Sequence, residues 1–229
     1  MTGDHGHLTV LDAEAASRRG TQHTVNEDGY LVLAERGIFC VADGMGGHRD
    51  GEGASRSLIQ ALDAAAAGEG GFEERIRGVE TAILAVNEAL HAPTRTVPGL
   101  DISGTTVVVL LVGDGYACCL WAGDSRLYLV RSGRLYLVSE DHAAAGGALT
   151  RAVGASAHLV LDRRVIEIAE GDVFLLCTDG LLKGIGEDDM LAVIGAPDGH
   201  PAERLIAKAV SGGSNDDITL VMAWIGRHG

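Results

Sequence analysis

The sequence predicts an α+β protein in which antiparallel strands form a β-sandwich and helices pack outside it. Three observations carry this expectation. The apolar runs are short, rich in Val, Leu and Ile, and bounded by Gly, Asp or Ser, the pattern of strands separated by turns. Helical periodicity comes in paired blocks instead of alternating regularly with strands, which argues against a doubly wound parallel sheet. The 229 residues, 46% hydrophobic and 22% charged, can bury about 70% of the surface an unfolded chain exposes, so residues 1–229 are expected to form one domain.

Taken in order, strands are expected in YLVLAERGIFCVADG (30–44), in the long stretch 103–139, in 159–180 and in ITLVMAWI (218–225). The middle stretch reads as an antiparallel meander. Its joints GDG (113–115), AGDS (122–125) and RSG (131–133) sit where tight hairpin turns would fall, with Gly or Asp supplying the unusual backbone angles. Helices are expected over Glu52–Ala67 and Phe72–His91, then over Asp188–Ile194 and Pro201–Val210. In the second of these, Ile76, Val79, Ile83, Val86 and Leu90 recur at three- and four-residue steps and define one apolar face. The loops 64–71 and 92–99 are the best linker candidates, but neither is long enough to separate two cores.

Charge excludes whole classes of partner. With 32 Asp+Glu against 18 Lys+Arg the net charge is −14, and the only lysines are Lys183 and Lys208. Nucleic acid and anionic membranes both require clustered basic residues. No apolar run reaches the length of a membrane span, and MTGDHGHLTV lacks the layout of a secretion signal, so a cytoplasmic location is expected. Cys40, Cys118, Cys119 and Cys177 lie inside apolar runs and read as buried hydrophobes, with the adjacent pair pointing to opposite faces of a strand.

The acidic residues are placed where surface charge is not usually found. Asp43, Asp124, Asp179 and the Asp216–Asp217 pair each stand at the end of a strongly apolar run, three of them beside glycine, and Asn26-Glu27-Asp28 enters another. One Asp-Gly after a strand is usually only a turn, but five such ends invite a second reading. If they converge, two carboxylates ~4 Å apart repel by about 4 kcal/mol at an effective dielectric of 20. The cluster then needs a cation, and all-oxygen ligands favour Mg²⁺ or Mn²⁺ over Zn²⁺. The glycine-rich VADGMGGHRDGEGAS is not a nucleotide-cradling loop, because no lysine follows; it lets backbone approach a ligand closely.

The ordered set NED (26–28), DGMGGH (43–48) with GEGAS (51–55), SGTT (103–106), GDSRLY (123–128), DH (141–142), LTRAVG (149–154), CTDGL (177–181) and NDDIT (215–219) resembles the metal-dependent Ser/Thr protein phosphatases of type 2C, the PPM family, in their compact bacterial form. Each motif is weak alone; eight in this order across nearly the whole chain are specific. The resemblance implies a four-layer α-β-β-α sandwich, two central antiparallel sheets flanked by helix pairs, with two Mn²⁺ or Mg²⁺ ions at one edge. It implies that Asp43 bridges two ions, that the Gly44 carbonyl binds one, and that Asp179 and Asp216 hold the other. Glu27 and Asp28 act mostly through metal-bound water, and Asp124 with Asp179 matches a third-metal site. Ser103, Gly104 and Thr105 are supports. The implied reaction is attack of a metal-bridging hydroxide on phosphoserine or phosphothreonine. The implied partners are phosphorylated proteins: an opposing Ser/Thr kinase or its substrates.

This sequence also departs from the family pattern. The arginine that normally grips phosphate three residues before the Asn of NED is His23, which offers fewer donors. Arg18 and Arg19 lie close by, and Arg19 joins His23 as the substrate-binding candidate. The usual Asp-Asn before the last strand is Asp216-Asp217, where Asp217 either tightens metal binding or faces outward without effect. Between DH and LTRAVG stand only six residues, 143–148, in place of a long mobile flap, which predicts an open cleft. His48 and His142 are the candidates for a general acid, although each reads more readily as structural. A different class of protein stays in view: a catalytically weak phosphatase-like module that binds phosphoproteins.

Overall fold

The computed structural model describes residues 8–46, 51–68, 70–96, 103–197 and 199–227. Two antiparallel sheets stack face to face. One runs in the order β1 (Leu8–Arg18), β11 (Ile218–Arg227), β10 (Val173–Cys177), β7 (Arg126–Arg131), β8 (Arg134–Leu137). The other runs β2 (Asp28–Leu33), β3 (Ile38–Met45), β5 (Val107–Gly113), β6 (Tyr116–Ala122), β9 (Asp162–Glu167), with the short β4 (Gly104–Thr105) paired to the end of β3. Helices α1 (Gly51–Ala66) and α2 (Phe72–Thr96) cover the second sheet; α3 (Asp179–Leu182), α4 (Glu187–Ile194) and α5 (Pro201–Ser211) cover the first. The result is the four-layer α-β-β-α sandwich.

Period-2 alternation explains the layering. Central strands buried on both faces read as continuous apolar runs, and their residues divide by parity between two cores. Along β3, Phe39 and Val41 join Leu110, Phe174 and Val221 between the sheets, while Cys40 and Ala42 pack with Leu58, Leu62, Ile76, Val79 and Ile83 under the helices. Cys118 and Cys119 divide the same way, and all four cysteines are buried free thiols. A third core sits between the first sheet and α3–α5, built on Tyr128, Leu175, Met190, Leu205 and Met222.

Several details differ from the sequence expectation. β1 was not expected at all: its alternation is carried by Ala and Ser, weak strand formers, and it is fixed only by pairing along β11. GDG and RSG make two-residue hairpins with positive φ at both central positions, 52° and 81° for Asp114 and Gly115, 52° and 71° for Ser132 and Gly133. AGDS does not make a hairpin. β6 pairs β5 and β9, whereas β7 pairs β10 and β8, so Gly123–Ser125 carries the chain from one sheet to the other and ends the expected meander. Helix α2 runs past His91, through Pro93 to Thr96, an end whose Ala92 and Pro93 are exposed and so give no apolar periodicity. No helix among the described residues is long and apolar enough to cross a membrane.

Candidate metal centre

Asp43 is held by its own backbone. It ends the buried run 38–42 of β3 directly opposite Asp28 of β2. Its N–H donates to Thr106 Oγ1 at 2.9 Å, while its carbonyl accepts from the Thr106 N–H at 2.8 Å and from Thr105 Oγ1 at 3.0 Å. Thr106 Oγ1 is in turn 2.7 Å from Ser125 Oγ, which ties this anchor to the crossover that carries Asp124. At Gly44 a Cβ would stand 2.3 Å from the Gly51 carbonyl oxygen and 2.5 Å from that of Glu27. Only glycine lets three backbone segments meet there.

The other sheet supplies the facing acids. Asp179 opens α3 immediately after the buried β10, and the preceding Thr178 donates its hydroxyl to Asp28 Oδ2 at 2.9 Å, linking the two sheets. Asp216 stands just before β11, its Oδ1 accepting the Asp217 N–H at 2.9 Å. A Cβ on Gly180 would lie 1.9 Å from the Asp217 carbonyl oxygen, so backbone contact sets the spacing of α3 from β11.

Strand ends from both sheets thus meet at one open cleft of about 420 Å³, whose walls include His23, Glu27, Asp43, Gly44, Asp124, Asp179, Lys183 and Asp216. Asp28 lies behind Asp43 and opens instead toward a neighbouring recess beside Ser55 and Arg56. Burial, reinforced by Asp28, Asp179, Asp216 and Asp124, pushes the Asp43 carboxyl well above the usual range. Burial does the same to Asp28, with Asp217 and Asp216 adding to it against hydrogen bonds from Thr219 and Thr178, and the result is a pKa of about 7. Asp124 rises to about 6, through burial and then the charge of Asp179. Asp28 Oδ1 and Asp179 Oδ1 are buried and accept no hydrogen bond, a costly state for carboxylate oxygens.

Such a set fits divalent cations with oxygen preference. Among the described residues no three His, Cys, Asp or Glu side chains already stand as one closed chelate. The cleft offers a broader ring of carboxylates and carbonyls, suited to hard ions that keep several waters.

Asp217 is neither outward-facing nor part of the cleft wall. It is 3% exposed, and its carboxylate accepts from the Gly20 N–H at 2.7 Å, the Glu27 N–H at 2.8 Å and His23 Nδ1 at 3.0 Å. One buried acid therefore ties the 20–27 loop at its two ends and at His23. The hydrogen bond to Asp217 raises the His23 pKa against the opposing effect of burial, and the charges of Asp217, Glu27 and Asp216 add to it. Arg19 is not in the cleft wall. Its guanidinium is spent on the carbonyls of His23 and Thr24, at 3.0 and 2.8 Å, and it shapes the loop without facing the carboxylates. Arg18 ends β1, paired to Ile218. His142 is stacked against Trp121 with its nitrogens toward the Gly123 N–H and Asp162, a structural placement. His48 lies outside the described residues.

Sequence reasoning missed Lys183, which bridges Asp179 Oδ2 at 2.6 Å and Asp216 Oδ2. Its signal was available: it stands four residues after Asp179 and is one of two lysines in the chain. Burial alone would lower its pKa, but the two carboxylates outweigh that and hold it high. Asp216 mirrors this, pushed up by burial and brought below its ordinary value by Lys183.

Residues 17–200 match the family model described as protein phosphatase 2C. The serine/threonine protein phosphatase PstP of Mycobacterium tuberculosis is 32% identical over 93% of this chain, which spans 45% of PstP's length. The serine/threonine phosphatase stp of Listeria monocytogenes is 28% identical over 93% of this chain and 95% of its own length. Among solved structures, Pseudomonas aeruginosa PppA, described as a key regulatory component of T6SS, superposes with a TM-score of 0.88 and 32% identity, covering 96% of this chain and 100% of that one. The catalytic domain of PstP in complex with two manganese ions superposes with a TM-score of 0.83 and 31% identity, covering 96% and 100%.

Proposed function

The chain belongs to the protein phosphatase 2C family, and on that premise we propose that residues 1–229 form one catalytic domain, a cytoplasmic Mn²⁺- or Mg²⁺-dependent phosphatase acting on phosphoserine and phosphothreonine in proteins and opposing a Ser/Thr kinase. The observation that carries this is the convergence of Asp43, Asp124, Asp179 and Asp216 from both sheets on one cleft, with buried carboxylate oxygens left without donors. In this reading Asp43, the Gly44 carbonyl, Asp179 and Asp216 would hold the cations, Asp43 and Gly44 from one sheet and Asp179 and Asp216 from the other. Asp124 with Asp179 would offer a third position, and Glu27 in the cleft wall and Asp28 behind Asp43 would act one layer out, through water. Divalent ions held there would supply charge neutralisation for phosphoryl oxygens and would acidify a bound water. The manganese-bound relative supports the choice of ion.

The chain's own residues do the positioning. Asp217 holds His23 through Nδ1 and leaves Nε2 as the nitrogen available to a phosphoryl oxygen. Thr106, Ser125 and Thr178 keep the carboxylates at fixed separations with no rearrangement required during turnover. The segment that replaces a flap is a small turn, bridged at Ala143 and Leu149 and closed by Ala144 N–H to the Ala148 carbonyl at 2.8 Å. From it Leu149 alone reaches the cleft wall. An opening this bare suits the surface of a folded phosphoprotein better than a gripped peptide.

A second reading, a phosphoprotein-binding module with weak turnover, is favoured by Lys183 lying on two of the proposed ligands. Hydrolysis of p-nitrophenyl phosphate and a phosphothreonine peptide separates the two. Turnover should require Mn²⁺, vanish in EDTA and be lost in Asp179→Asn. No Mn²⁺-dependent turnover above the mutant would remove the enzyme reading.

A further inference from the structure

We infer that Lys183 is a resident counter-ion of the cleft: its ammonium shares the Asp179/Asp216 position with the divalent cation, yields it when the ion binds, and then serves as the cation that meets substrate phosphate. The inference rests on the metal centre proposed above and concerns a residue that centre does not otherwise use.

Oxygen bookkeeping shows why the two cations compete. Asp216 Oδ1 already accepts the Asp217 N–H and Oδ2 accepts from Lys183 Nζ, so neither oxygen of Asp216 is free of a donor. The same ammonium is 2.6 Å from Asp179 Oδ2. A divalent ion held by both acids competes with the ammonium for Asp179 Oδ2 and Asp216 Oδ2 and is repelled by its charge while it stays. Lys183 is able to leave: it follows the last residue of the four-residue α3, its side chain is 49% exposed, and its four-carbon stem is flexible. It also has somewhere to go. Among the described residues lining the cleft it is the only Lys or Arg, and the other candidate for a phosphate contact there, His23, is itself held by Asp217. A cleft walled by Glu27, Asp43, Asp124, Asp179 and Asp216 repels a phosphate monoester, and a displaced ammonium offsets part of that repulsion.

Because the chain has only two lysines, and Lys208 is paired elsewhere with Asp189 at 2.7 Å, acylation of wild-type protein with an amine-reactive ester, read by mass spectrometry, reports Lys183 against an internal control. Lys183 should label slowly in EDTA, faster in Mn²⁺, and slowly again when inorganic phosphate is added to the Mn²⁺-loaded protein, while Lys208 stays constant. Titration calorimetry adds a second arm. Lys183→Met should bind Mn²⁺ about three- to tenfold more tightly, the range expected for removing two partly exposed ion pairs, and bind inorganic phosphate more weakly once loaded. Equal Mn²⁺ affinity in both proteins, or Lys183 labelling indifferent to Mn²⁺, overturns the inference and leaves the metal centre standing. No Mn²⁺ binding by either protein overturns the metal centre and the inference together.

Discussion

At the scale of single residues, Asp217 explains how His23 would be held in the phosphate-facing position proposed for it. A histidine free to rotate would lose entropy on meeting its ligand; here one ring nitrogen is already committed to a buried carboxylate. Asp217→Asn keeps the shape but turns one acceptor into a donor, opposite either the Gly20 or the Glu27 N–H group. It should cost about 1–3 kcal/mol in urea denaturation and raise KM for a phosphopeptide; an unchanged midpoint would show that the loop does not depend on this acid. His23→Arg should lower KM, because a guanidinium offers two parallel donors to phosphate, and unchanged kinetics would exclude His23 from substrate contact. His23 was legible in the sequence as a departure from pattern. Asp217 was legible only as an extra charge, since sequence does not give the direction of a side chain at a strand's entry, and that direction came from the β1–β11 register.

At the scale of elements, α3 places the second half of the proposed ligand set. It meets the start of β11 backbone to backbone at Gly180, and Gly184 meets α5 likewise, where a Cβ would stand 1.9 Å from the Ala209 carbonyl oxygen. Gly180→Ala must push α3 away from Asp216–Asp217. We expect a loss of about 1–3 kcal/mol from overpacking, seen in chemical denaturation, together with weaker Mn²⁺ binding by calorimetry; normal Mn²⁺ affinity would show that the ligand spacing tolerates the shift. The motif CTDGL announced Asp179 but not the helix, since four residues carry no periodicity. AGDS was misread for a related reason. A turn sequence reports a change of direction, and whether the next strand rejoins the same sheet is decided by which partner, here β10, has an open edge.

At the scale of the whole molecule, the acids make stability depend on pH in an unusual direction. Asp28 holds its proton to about 7 in the fold against 3.8 when unperturbed, and Asp124 to about 6. Between those limits the folded protein binds protons the unfolded chain has released, so stability falls as pH rises from about 4 to about 7. His23, raised above 6.5, extends the fall upward, whereas the lowered Asp216 contributes fully once the pH is above 3.8. In EDTA the thermal midpoint should therefore drop between about pH 5 and about pH 7.5, and the gain from added Mn²⁺ should grow over the same interval. A midpoint that rises with pH in EDTA would contradict this. The four-layer arrangement was largely legible, because central strands reveal themselves by apolar runs. β1 escaped because an Ala-rich edge strand has no such run. Its pairing has a consequence for synthesis. Arg18 faces Ile218 and Ser17 Oγ lies 2.7 Å from Thr219 Oγ1, so a chain made from its N-terminus holds β1 without a neighbour until β11 has emerged. Closing so long a loop is entropically slow. Glu27, Asp28 and Asp43 can sit on a finished sheet while Asp216 and Asp217 are still to come, and no nascent fragment short of β11 can assemble the full ring of acids.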